Sequence, residues 1–179
     1  MSMVLVGLFA VAQDKGDMAV GLNLGITPCT ESGVSVANFG IGARFQYNVT
    51  NPLRLEAAVG YDFKDKEVSV FTAGVNGHWI FSLSEKFNIY PIVGVGVANI
   101  KGYVSVDEKV RDEILNNQGH VNTYDNDDIS DSSTKFYYNL GAGGEYKITD
   151  RLSANIEVKW QGISWFNRVP VSVGVTYKF

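Results

Sequence analysis

Residues 171–179 read Val-Ser-Val-Gly-Val-Thr-Tyr-Lys-Phe. Valines, then a tyrosine and a phenylalanine, alternate with small or polar residues, so an extended segment carries one apolar face and one polar face. The stretch finishes on Phe179, a large ring, whereas chain termini usually fray and stay polar. Such a strand needs a partner along its whole length.

The same period of two runs through the rest of the chain. In MAVGLNLGI (18–26), Met18, Val20, Leu22, Leu24 and Ile26 share a face, opposite Ala19, Gly21, Asn23 and Gly25. In FGIGARFQY (39–47), Phe39, Ile41, Ala43, Phe45 and Tyr47 oppose Gly40, Gly42, Arg44 and Gln46. The pattern continues in LRLEAAVGYDF (53–63), FTAGVNGHWIF (71–81), FNIYPIVGVGVANI (87–100), FYYNLGAGGEYKI (136–148), LSANIEVKW (152–160) and VPVSVGVTYKF (169–179). Eight strands are predicted, with no helix among them.

A second repeat joins strands in pairs. VTNPL (49–53), LSEKF (83–87) and ITDRL (148–152) share one form: apolar, hydroxyl, Asn or acid, Pro or base, apolar. Each is a tight turn built from residues that hydrogen-bond locally or fix φ. The other connections, about residues 27–38, 64–67, 101–135 and 161–168, vary in length. Three short turns alternating with four loops make an up-and-down meander, with both chain ends on the short-turn side.

Alternation alone does not say which face meets solvent; a soluble lipocalin-like barrel has the same period. Composition decides. The more polar face is mostly Gly, Ala, Ser and Asn, which suits the narrow interior of an eight-stranded barrel and not a water-facing surface. The other face is almost unbroken Val, Leu, Ile and aromatics. Tyr47, Phe63, Trp79, Phe81, Phe87, Tyr146, Trp160, Tyr177 and Phe179 fall near strand ends, where interfacial girdles belong. The predicted fold is all-β: an eight-stranded antiparallel up-and-down transmembrane β-barrel. Its last strand pairs with its first, because no open edge is tolerable in lipid.

The remaining composition fits. The chain has 179 residues, enough for one domain, and a formal net charge of −4, which gives no reason to expect nucleic acid. A lone Cys29 excludes an intrachain disulfide. Residues 1–12 read as a signal peptide, truncated at its basic start: the apolar run MVLVGLFAVA ends in Ala10-Val11-Ala12 before polar QDKGD. Residues 13–179 are then the barrel domain, carrying a long loop at about 101–135.

Residues 18–179 resemble the small outer-membrane barrels of diderm bacteria, the OmpA-like transmembrane domain and its stand-alone relatives. The resemblance rests on the leader, the eight strands, the short turns opposite long loops and the terminal aromatic strand. It implies that Val171, Val173, Val175, Tyr177 and Phe179 form the signal read by the barrel assembly machinery. It also implies an outer-membrane location with both termini periplasmic. No peptidoglycan-binding domain follows the barrel in this sequence. The family's functions range over adhesion, resistance, envelope structure and lipid modification.

Inside the barrel, strand parity places Arg44, Glu56, Glu145, Glu157 and Lys159. Charges in a narrow interior must be paired, so these residues are expected to form an ion-pair network that plugs the lumen. The rival reading is a gate or an acid/base pair. His78 also faces inward. Ser82 is four residues further along the same strand, ~13 Å away, too far to act as a nucleophile with it. The glycines of VGVGVANIKG and GAGGE lack the strand-turn-helix setting of a phosphate loop. No catalytic residue, cofactor or metal is assigned.

The long loop carries the charge. Asp107, Glu108, Asp112, Glu113, Asp125, Asp127, Asp128 and Asp131 face only Lys109 and Arg111. Val106, Val110 and Ile114 are spaced for a short helix stopped by Gly119. YDNDDISD (124–131) offers oxygen ligands but lacks the glycine and terminal Glu of an EF-hand loop. With Trp165 and Phe166 of the last loop, these acids are expected to form the contact surface for an extracellular protein or a cation-bridged partner. The expectation is thus a non-enzymatic, monomeric barrel embedded in outer-membrane lipid, acting through its loops. A small-solute channel and a lipid-modifying enzyme are the alternatives.

Overall fold

The structure, a computed structural model, describes residues 15–31, 34–65, 68–103, 130–163 and 166–179. Ten strand segments form eight staves: β1 (Met18–Glu31), β2 (Val34–Asn48), β3 (Leu53–Asp65), β4 (Val68–Trp79), β5 (Phe81–Ser82), β6 (Phe87–Tyr103), β7 (Ser130–Lys147), β8 (Leu152–Ile163), β9 (Phe166–Arg168) and β10 (Val171–Lys178). The fourth stave is β4 and β5, interrupted at Ile80; the eighth is β9 and β10, interrupted at Val169 and Pro170. The described residues contain no helix.

Every pairing is antiparallel; successive staves pair with one another, and the last pairs with the first, so the sheet closes on itself. β10 pairs with β8 from Val171↔Val158 to Tyr177↔Leu152, and on its other edge with β1 from Ala19↔Lys178 to Ile26↔Val171. Closure leaves that terminal strand no unpaired edge, as lipid requires. The result is a closed eight-stranded antiparallel β-barrel.

The three short turns share a hydrogen-bond pattern as well as a sequence. In each, the first two residues donate to the carbonyl of the last: Val49 and Thr50 to Leu53, Leu83 and Ser84 to Phe87, Ile148 and Thr149 to Leu152. The hydroxyls of Ser84 and Thr149 accept from the next turn amides, Phe87 at 3.1 Å and Leu152 at 3.0 Å. Such local side-chain bonds are why these residues favour turns.

At the opposite end the strands run further than the sequence pattern predicts. β1 and β2 remain paired to Glu31↔Val34, well into the segment read as a loop at 27–38. β6 and β7 remain paired to Tyr103↔Ser130, so Asp131 lies on a strand opposite Gly102. Phe166 likewise lies on β9, opposite Ile163, and not in a loop. Backbone ladders need no apolar side chains to form, so they persist where alternation fades. The 17-residue β6 is far longer than the ~9–11 residues that span a bilayer, so the β6–β7 hairpin projects beyond the hydrocarbon. The signal-peptide segment 1–12, the predicted helix 106–119, residues 124–129 of the calcium-loop reading and Trp165 lie outside the described residues, as do all the loop acids except Asp131.

The barrel is inside out relative to a water-soluble protein. Its exposed face carries Leu22, Val75, Val93, Val95 and Val173, each more than half exposed, with every aromatic of the predicted girdles exposed as well. Its buried residues are mostly polar or charged. Glycines on the inner face make room for the rings that cross the lumen. A Cβ at Gly143 would collide with the Tyr90 ring, and one at Gly96 with Tyr137.

Candidate functional site

The inward residues converge on a charged partition across the lumen. Arg44 on β2 is the hub. Its Nη1 donates to Glu157 Oε1 on β8 at 2.5 Å and to Glu56 Oε2 on β3 at 3.4 Å. Asn155, in the amide orientation that satisfies both of its polar atoms, accepts from both terminal nitrogens of Arg44 at 3.0 Å. Lys159, two residues after Glu157 and so on the same face, pairs with Glu157 Oε2 at 2.8 Å and approaches Glu56 Oε1 at 4.0 Å.

Glu145 joins through a second cation. Arg54 Nη1 donates to Glu145 Oε2 at 2.8 Å and to Gln46 Oε1 at 3.1 Å, while Gln46 Nε2 donates to Glu56 Oε2 at 2.9 Å. All five charges named from the sequence therefore belong to one connected network. Neutral groups complete it. Asn76 donates to Glu56 (2.9 Å), Asn88 to Glu145 (3.2 Å), Asn139 to Asn76 (2.9 Å), and the Tyr90 hydroxyl to Glu157 (3.0 Å). His78 stacks on Tyr90, with ring centroids 4.8 Å apart, and the Arg54 guanidinium lies over the Tyr90 ring, 5.5 Å from its centroid. The carboxylates are essentially inaccessible, so each negative charge is met by cations and hydrogen bonds and not by bulk water.

Two cavities flank this partition. One, of about 570 Å³, opens at the short-turn end and reaches Gln46, Arg54 and Glu145. The other, of about 90 Å³, lies toward the loop end and reaches Arg44, Glu56, Asn76, Asn139 and Lys159. His78, Tyr90, Asn88 and Glu157 line neither, and the Arg54–Gln46 and Gln46–Glu56 hydrogen bonds join the wall of one cavity to that of the other. In the wall of the smaller cavity, Arg168 on β9 pairs with Asp62 on β3 and donates to Gln161 Oε1 at 2.6 Å. An apolar cluster of Val70, Ala98, Tyr137 and Ile163 packs nearby on the same inner face.

The same alternation marks further inward residues that the expected network leaves out. Arg54 and Asp62 share parity with Glu56, so the alternation that placed Glu56 inside places them there too. Arg168 lies on β9, opposite Gln161, in a stretch where alternation gives no strand signal. Tyr90 was hidden by its own chemistry, since an aromatic within an apolar stretch reads as lipid-facing. Among the residues assigned to a partner surface, the structure places only Asp131 and Phe166, both by their backbones.

The chain matches the family model described as outer membrane protein beta-barrel domain over residues 1–179 and belongs to that family. No curated protein matches it by sequence. Among solved structures, Neisserial surface protein A is similar with a TM-score of 0.69 at 12% identity, covering 90% of this chain and 97% of that one. Ail, the attachment invasion locus protein of Yersinia pestis, gives 0.61 at 13% identity over 92% of this chain and 99% of that one. OprG of Pseudomonas aeruginosa gives 0.52 at 13% identity over 93% and 97%. At such identities the likeness concerns the fold. The protein is an outer-membrane β-barrel protein.

Proposed function

We propose that this barrel is a non-enzymatic anchor, closed to solutes, that carries an interaction surface at its loop end. The observation that supports it most directly is the partition: buried, mutually paired charges stand between the two lumen cavities. Moving a solute through would require separating groups such as Arg44 and Glu157, whose charges would then be stranded in a low-dielectric interior. With the lumen filled and the outer wall committed to lipid, chemical variety is left to the loops.

In this reading the short turns face the periplasm and the projecting β6–β7 hairpin faces outward, following the length asymmetry of outer-membrane barrels. The segment 104–129 carries seven acids against two bases, so it favours a basic partner or one bridged by cations. Ail is named for attachment and invasion, and has been solved with the heparin analogue sucrose octasulfate. A sulfated ligand would be repelled by this chain's acidic segment. A protein partner with a basic face fits it better.

The test replaces residues 104–129 by a short Gly-Ser turn. The barrel should keep its stability, while adhesion of cells displaying it to basic protein surfaces should fall and lose its salt dependence. Full adhesion by the replaced protein would overturn the surface reading. High, steady conductance of the native protein in planar bilayers would overturn the closed lumen and favour the channel.

A further inference from the structure

His78 is the least explained residue of the partition. It is wholly buried, and neither ring nitrogen has a hydrogen-bond partner among the described residues. An unpaired polar group in such a place costs free energy, so its retention calls for a reason. Its Nε2 points at Glu56 Oε1 from 3.9 Å, too far for a hydrogen bond. Glu157 completes the group: one ligand atom from each of Glu56, His78 and Glu157 lies within 4.8 Å of the other two.

We propose that Glu56, His78 and Glu157 form a site for a divalent transition-metal ion of the zinc class, taken up in exchange for the Lys159 ammonium. One imidazole with two carboxylates is a donor set suited to Zn²⁺ and its neighbours, and less to Mg²⁺ or Ca²⁺, which prefer oxygen alone. Metal–ligand bonds of ~2.0–2.2 Å bring ligand atoms to within about 4 Å of one another, so the longest separation here must shrink by about 1 Å or less. Rotations of the glutamate side chains supply that.

Lys159 already shows where a cation belongs. Its Nζ sits 2.8 Å from Glu157 Oε2 and 4.0 Å from Glu56 Oε1, the two carboxylates a metal would use. Its side chain is 15% exposed, against 2% or less for Arg44, Glu56, His78 and Glu157. It borders the loop-end cavity, which offers both an exit for the ammonium and a route by which an ion reaches Glu56. Once Lys159 withdraws, Glu56, Glu157 and Arg44 sum to one negative charge, which attracts a cation. Arg44, Gln46, Asn76 and Tyr90 would remain on the carboxylates and orient them, the supporting role that outer partners play at metal centres.

The experiment uses tag-free protein refolded in detergent micelles, with folding checked by heat-modifiable gel mobility. Zn²⁺ affinity is measured by competition with a chelating dye, and Co²⁺ binding by its visible absorption. The native chain should bind one ion. His78→Gln should weaken binding by about a hundredfold or more and abolish the Co²⁺ bands, since loss of even an outer partner costs ~10–100-fold. Lys159→Met should bind tighter than the native chain, about tenfold, because its competitor is gone. No binding by the native chain, or undiminished binding by His78→Gln, would overturn the site; the latter would point to the other histidine, His120. Weaker binding by Lys159→Met would overturn the exchange. Should His78→Gln fail to fold, Glu157→Gln and the Lys159→Met comparison decide in the same way.

Discussion

Arg54 and Glu145 sit 91 residues apart in the chain, on β3 and β7, yet their side chains pair across the lumen at 2.8 Å. The strands that carry them are not neighbours in the sheet, so the contact exists only because the barrel is closed and narrow.

Breaking that pair from one side should be costly. Glu145→Ala leaves the Arg54 guanidinium buried without its carboxylate, and loss of one partner of a buried pair typically costs ~3–5 kcal/mol. Replacing both with Met should cost less than the single change, because apolar groups of similar length strand no charge. Urea unfolding of the refolded barrel, read by tryptophan fluorescence, measures both. A double variant no more stable than Glu145→Ala would show that the charges do not depend on each other.

The rings crossing the lumen demand small partners. Gly143→Ala would drive a methyl group into Tyr90, which holds Glu157 through its hydroxyl. Overpacking of this kind costs about 1–3 kcal/mol. Gly77 has room for a Cβ at its only near contact, so Gly77→Ala is the control and should stay within about 1 kcal/mol of the native barrel. Equal destabilisation by the two would remove the packing argument.

Depth in the membrane should set the cost of a charge on the outer wall. Val93 is 61% exposed and lies mid-strand on β6, so Val93→Arg should cost ~2–4 kcal/mol. Phe136 is 83% exposed and lies closer to the loop end of the β6–β7 ladder, where Phe136→Arg should cost ~0–1 kcal/mol. Unfolding from lipid vesicles compares them directly. The reverse order would mean that the hydrocarbon band is misplaced on the barrel.

If the partition blocks the lumen, loosening it should raise conductance. Arg44→Ala with Lys159→Ala removes both cations that touch Glu157, leaving it only the hydrogen bond from the neutral Tyr90 hydroxyl, and opens space beside the loop-end cavity. Planar-bilayer recordings should show larger or more frequent openings than the native protein gives. Unchanged traces from a folded double variant would place the block elsewhere, for instance at Arg168 and Asp62.

Much of this architecture was legible one residue at a time. Alternation is a local property, and Met18 to Ile26 or Val171 to Phe179 declare two faces without reference to the rest of the chain. The turns were equally local, because Ser84 and Thr149 bond to amides within three residues. Parity placed Arg44, Glu56, Glu145, Glu157 and Lys159 inside, since a strand offers only two directions. Partners were another matter. Which inward charge meets which depends on stagger around the closed sheet, a relation among strands that no single strand encodes. Closure brings Tyr90 to Glu157 and Arg54 to Glu145, and leaves His78 beside two carboxylates with no hydrogen bond. Alternation alone gave eight strands and most of their faces, whereas the tertiary structure decided how far the ladders run and which groups pair within the lumen, because both are set by neighbouring strands and the curvature of the whole barrel.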